Sequence, residues 1–241
     1  MLDKDFITAV AKGWSCKTSI DWKSVSTAEL SKYCKQVEDA ISQTMKDILK
    51  ISDFECKVEP KRIVLLEKEA FGQLGVLVWN QNKCDVIREL IVNEFSNDII
   101  KEKYDAFEAD YSKEQCRNYY GNIQGAACCG YQIINKDTAL KELGLHLLCH
   151  EVLHTLANPQ AVLKLRKGSP TGDEATNEFI ARIISRHKCL GGTTTEEMKN
   201  NSNTDDYHNN HGVYGNLIDK EGFAQKTPDE IIKIVRDYLV F

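Results

Sequence analysis

The chain has 241 residues, 42% hydrophobic and 28% charged, a composition typical of globular proteins and long enough to bury a sizeable core. A formal net charge of −5 argues against nucleic acid as the main partner, because phosphate binding needs a clustered positive field. No apolar run reaches the ~18 residues of a membrane span, so a membrane partner is not expected either.

The opening segment MLDKDFITAVAKGWSCK is acidic where a signal peptide is basic, and its apolar stretch is short. A cytoplasmic location is expected, or export without a classical signal. Ser26 and Glu29 form an S-x-x-E capping box, which opens a helix. Leu30, Tyr33, Val37, Ile41 and Ile48 then recur at helical spacing to about Lys50. Arg62–Leu66 and Leu74–Trp79 read as short adjacent strands separated by Gly72 and its neighbours. Helical spacing returns from Asp85 to about Phe95. The charged, tyrosine-rich stretch 101–122 fits either a helix or an irregular connection.

Residues 126–135, AACCGYQIIN, read as a third strand, with Asn135 or Asp137 as N-cap of a helix running to about Ala157. Asn158-Pro159 stops that helix, because a residue before proline avoids the α region. A basic loop, 160–172, follows, then a helix from about Asp173 to Lys188 that ends before Gly191-Gly192. The stretch 191–215 is polar and too poor in apolar residues to be core. Thr227-Pro228-Asp229-Glu230 combines an N-cap, an N1 proline and a capping glutamate, so the last helix runs from there almost to Phe241. Nine cysteines, scattered and with no C-x-x-C, read as free thiols in a reducing compartment, Cys149 as part of the core.

The chemistry concentrates in His150-Glu151-Val152-Leu153-His154. This is H-E-x-x-H, in which two histidines at i and i+4 share one helix face and can reach one metal ion. The intervening glutamate points beside the metal, where it can act on a water. Catalytic zinc takes three protein ligands and keeps one position open. The next helix offers Glu174 and Glu178, one turn apart. His146 stands one turn before His150 and reads as a packing or ligand-supporting residue.

These residues carry a resemblance. His150-Glu151-x-x-His154, followed after nineteen intervening residues by Glu174 within Asp173-Glu174-Ala175-Thr176-Asn177-Glu178-Phe179, is similar to the gluzincin metallopeptidases, thermolysin-like and M1-like. The matching part covers about forty residues, from His150 to Ile184. The resemblance implies Zn²⁺ held by His150, His154 and Glu174, with Glu178 as the alternative third ligand because Asn177-Glu178 resembles the N-E pair of the thermolysin type. It implies peptide hydrolysis with Glu151 as general base, and a downstream Tyr or His that stabilises the oxyanion. Tyr207, His208, His211 and Tyr214 are the candidates, and the glycines beside His211 and Tyr214 favour those two. The M1 G-x-M-E-N motif is absent, so aminopeptidase specificity is not carried over; the activity expected is that of an endopeptidase on a protein or peptide substrate. The fold expected is α+β and zincin-like. It has a small mixed sheet in an N-terminal lobe (about 1–157, with the active-site helix) and a mostly helical C-terminal lobe (about 158–241). Together they form one catalytic domain, and Gly130–Asn135 is the edge strand that borders the cleft. A bacterial effector protease suits the composition as well as a cytosolic peptidase does. The alternative is a catalytically weak or inactive zincin-like binding module.

Overall fold

A computed structural model describes residues 1–16, 18–107, 113–169, 171–194 and 218–239. The described chain is a mixed α and β structure, mostly helical. Its helices are α1 Lys4–Ala11, α2 Thr27–Asp47, α3 Lys68–Asn80, α4 Lys83–Val92, α5 Asn97–Ala106, α6 Lys113–Gly121, α7 His146–Leu156, α8 Pro159–Gly168, α9 Gly172–Lys188 and α10 Pro228–Tyr238. Its strands are β1 Gly13–Cys16, β2 Ile63–Leu66, β3 Gly125–Cys128, β4 Tyr131–Asn135 and β5 Gly192–Thr194. Among the described residues no helix is long and apolar enough to cross a membrane.

Local chemistry sets several boundaries. Both capping boxes form, Ser26 with Glu29 on α2 and Thr227 with Glu230 on α10. Asn158-Pro159 ends α7 as expected, but it also starts α8 at once. The Asn158 side chain accepts from the Gln160 amide, and Pro159 occupies the first helical position, where its missing N–H costs nothing. The basic stretch read as a loop is therefore a helix. The described residues of stretch 101–122 include the end of α5 and the whole of α6.

The small sheet has the order β2-β4-β3, with β2 parallel and β3 antiparallel to β4. Three expectations change here. Leu74–Trp79 is not a strand but the second half of α3. Gly72 and Gly75 lie against α6, where a β-carbon would meet Arg117 O at 2.5 Å and the Tyr120 ring carbon Cγ at 2.3 Å. Close helix packing through these glycines overrides the β propensity of Val76, Leu77 and Val78. Second, stretch 126–135 is a hairpin rather than one strand. Cys129 (φ 50°) and Gly130 (φ 82°) are both left-handed, as the tight two-residue turn requires. Consequently β4 is the central strand, paired on both sides, and β3 is the edge. Third, the motif helix begins at His146 rather than at Asn135 or Asp137. The Asn135 amide donates to Gly121 O and Ile123 O, and Asp137 accepts from the Lys68 amide, so it caps α3 instead. Gly144, at φ 49°, turns the chain into α7, where any β-carbon would sit 2.8 Å from Leu190 O.

The sheet separates two hydrophobic cores. Ile63, Leu65 and Ile134 face the larger one, built from α1, α2, α7, α9 and α10. Val64, Leu66 and Ile133 face the smaller one, built from α3, α4 and α5. The larger core unites residues 2–63 with residues 134–239. The free-thiol reading is also corrected. Cys16 and Cys189 form a disulfide with Cα atoms 5.7 Å apart, joining β1 to the left-handed residue that ends α9. Sequence spacing hides this pair because 173 residues separate its members. Next to it β1 and β5 pair antiparallel, so Gly192–Thr194, the start of the polar stretch, is structured.

Candidate metal centre

Helix α7 is buried along His146–Leu153. His146, His150 and His154 follow each other at intervals of four and so form one stripe. Glu174, Glu178, Arg182 and Ser185 form the facing stripe on α9. The two stripes run antiparallel and interlock rung by rung. His146 Nδ1 is 2.9 Å from Ser185 Oγ, and its Nε2 is 3.1 Å from Glu178 Oε2. His150 Nδ1 is 2.8 Å from the same Glu178 oxygen, and its Nε2 is 2.9 Å from Glu174 Oε1. His154 Nε2 is 3.2 Å from Glu174 Oε2 and 3.1 Å from His150 Nε2.

Two groups here could hold a metal ion: His146, His150 and Glu178, and His150, His154 and Glu174. They differ in what surrounds the carboxylate. Glu178 Oε1 accepts a 2.7 Å bond from Arg182 Nε, and both side chains are buried. That carboxylate already has a positive neighbour, which opposes a metal ion by like-charge repulsion. Glu174 has only the two histidines on its oxygens among the described residues, and with them it lines a cleft of about 550 Å³. Of the two groups the second is the less buried, and its carboxylate is not the one paired with Arg182. Glu178 fixes the orientation of the His150 ring, with Nε2 turned toward Glu174.

The electrostatics follow from burial and pairing. Burial works to lower the His150 pKa, but the bonds to Glu174 and Glu178 outweigh it and hold the imidazole well above its usual range. Burial works to raise both glutamates, yet His154 beside Glu174, and His146 with Arg182 beside Glu178, bring them well below the usual carboxylate range. Glu151 behaves oppositely. Its burial dominates, and its carboxyl is raised. It points to the β3 side of α7, where a β-carbon on Gly125 would lie 2.7 Å from Glu151 Oε1. A side chain at position 125 would therefore require the Glu151 carboxylate to shift.

The support extends outward. The Asn177 amide donates to His150 O at 2.9 Å, and Tyr238 on α10 donates to Asn177 Oδ1 at 3.2 Å. The Arg182 guanidinium reaches Ala11 O on α1 at 3.2 Å. Asp173 accepts from two nitrogens of Arg166 at 2.8 and 2.7 Å, which draws α8 to the mouth of the cleft.

Of the residues expected from the sequence, His150, Glu151, His154, Glu174 and Glu178 come together in this cleft. Tyr207, His208, His211 and Tyr214 lie outside the described residues. The strand beside the cleft is β3, not Gly130–Asn135, because the turn at Cys129-Gly130 returns β4 to the sheet centre. Sequence reasoning missed Gly125, Arg182 and Ser185. The spacing 174/178/182/185 was a signal for the last two, since it continues the glutamate stripe along α9. Comparison with protein-family models, curated proteins and solved structures finds no match for this chain.

Proposed function

We propose that the chain is a zinc-dependent peptidase of the gluzincin type, acting as an endopeptidase on a protein or peptide substrate. One observation carries this reading: His150 Nε2, His154 Nε2 and the Glu174 carboxylate converge at 2.9–3.2 Å. A tetrahedral zinc ion with ligands at about 2.0–2.1 Å has donor atoms about 3.3 Å apart, so this nitrogen–nitrogen–oxygen set fits the ion with little movement. When bound, zinc supplies Lewis acidity, acidifying a water and polarising an amide carbonyl.

The rest is the work of the chain. Glu151 takes the proton of the attacking water and returns it to the leaving amine. A buried carboxyl with a raised pKa is suited to that exchange near neutral pH. Glu178 keeps the His150 ring oriented, and Arg182 keeps Glu178 ionised. The cleft wall of small residues, Gly125–Cys128, leaves room for extended peptide. His211 and Tyr214 remain the proposed oxyanion donors on sequence grounds.

The test is Glu151→Gln. Zinc content should stay at one ion per chain, while cleavage falls by roughly 10²–10⁴-fold. New N-termini produced by the wild type and not by this variant would define the substrate. Cleavage by the variant at the wild-type rate would overturn the mechanism. Zinc binding with no cleavage by the wild type would favour a metal-stabilised binding module instead.

A further inference from the structure

The face of β3 turned away from α7 borders a second cavity, of about 210 Å³. Phe71, Leu74 and Val78 of α3, Tyr120 of α6 and Ile133 of β4 line it, with Lys83 and the Cys128 thiol at β3. Among the described residues no carboxylate lines it. The two cavities are continuous in one respect: residues 125–128, together with Ile123, line both. Strand β3 is the partition between the metal cleft and an apolar pocket.

The register shows how the partition is used. Ala126 pairs with Ile133 and Cys128 with Tyr131, and all four belong to the smaller core's side of the sheet. Gly125 pairs with Ile134, and Ala127 with Gln132, whose amide donates to Thr155 on α7. Side chains of β3 thus alternate between the apolar pocket and the metal cleft, as the pleat demands. The outer edge of β3 pairs with no described strand. A peptide hydrogen-bonded along that edge would lie about 4.8 Å away and carry the same alternation. If one of its side chains is directed to the α7 face, the next is directed to the face of the apolar pocket.

We infer that this second cavity is a specificity pocket, which takes a large uncharged apolar side chain, of the leucine or phenylalanine kind, from a peptide added to β3. The small side chains of Ala126 and Cys128 leave the pocket open at the strand. The inference rests on the peptidase reading for the presence of peptide at this edge, but its test does not depend on turnover.

The test uses zinc-loaded Glu151→Gln protein and two fluorescein-labelled ten-residue peptides of serine and threonine, one with a single central leucine and one with alanine in its place. Fluorescence anisotropy gives the two dissociation constants. The leucine peptide should bind at least about tenfold more tightly. Ala126→Leu fills the pocket from the strand and Val78→Phe fills it from α3, and either should bring the ratio close to one. Two variants on different elements guard against one that fails to fold, which thermal melting reports. If the ratio is near one before any filling, or survives both fillings, the inference is overturned even where the wild type cleaves protein. If the ratio behaves as expected and the wild type cleaves nothing, the pocket stands and the peptidase reading falls.

Discussion

Glu178 Oε2 sits 2.8 Å from His150 Nδ1, on the side of the imidazole that faces away from Glu174. The proposed metal ligand is thereby held from behind by a carboxylate, which is itself held by Arg182. Glu178→Gln keeps the shape and removes the charge. Metal affinity should fall about 10–100-fold, read by competition with a chelating dye. The buried Arg182 guanidinium would lose its counter-charge, which should cost about 3–5 kcal/mol of stability in denaturant unfolding. Unchanged metal affinity would show that Glu178 does not support the ligand.

Gly125→Ala tests the opposite side of α7. The added methyl would meet Glu151 Oε1 at 2.7 Å, so the carboxylate must move. A displacement near 1 Å is enough to lower kcat by about 10²-fold. Metal content should not change, because the three atoms nearest the added methyl all belong to Glu151 and not to a proposed ligand. Full activity in this variant would mean that the working position of Glu151 is not the one against β3.

Chelated protein should have a distinctive pH profile. Glu174 and Glu178 are depressed from the ordinary 4.5, so their stabilisation is present above that value and is lost as pH falls through their folded pKa values. His150 is raised from the ordinary 6.5, so its stabilisation is present below that value and is lost as pH rises through its folded pKa. Melting temperature of the chelated protein should therefore be highest between about 4.5 and 6.5. Zinc requires a neutral His150, so binding should release protons and remove the alkaline decline. Calorimetry in buffers of different ionisation enthalpy counts those protons, and binding without proton release would contradict the assignment of His150.

The disulfide gives a chemical count. Alkylation of denatured, unreduced protein should find seven thiols, and nine after reduction. Reduction or Cys16→Ser should lower stability by about 2–5 kcal/mol. Nine thiols before reduction would mean that Cys16 and Cys189 are unpaired.

Features decided by neighbours in sequence were legible in advance. The capping boxes at Ser26 and Thr227, the stop at Asn158-Pro159 and the i, i+4 histidines all act within one helical turn. Glu174 could be singled out too, from the spacing of the metallopeptidases that the motif resembles, and it lies beside His150 and His154. What could not be read was decided by partners far away in the chain. Leu74–Trp79 has the composition of a strand and becomes helix because Tyr120 and Arg117 pack on its glycines. Asp137 looks like a cap for the residues after it but caps Lys68, 69 residues before it. The hairpin at 129–130 carries a cysteine where asparagine would have announced the turn. Glu178 could be recognised as a candidate, but its role required Arg182 and both histidines to be placed around it.

Helix α9 is clasped from both directions of the chain, by Ala11 O on Arg182 and by Tyr238 through Asn177. This sets an order on synthesis. A nascent chain that has emerged only as far as α7 already contains the complete H-E-x-x-H sequence, yet neither the carboxylates of α9 nor the tyrosine that steadies them. Ala11 and Tyr238 must both be in place before α9 is held from both sides. An unfinished copy therefore carries both histidines and none of the side chains that order them.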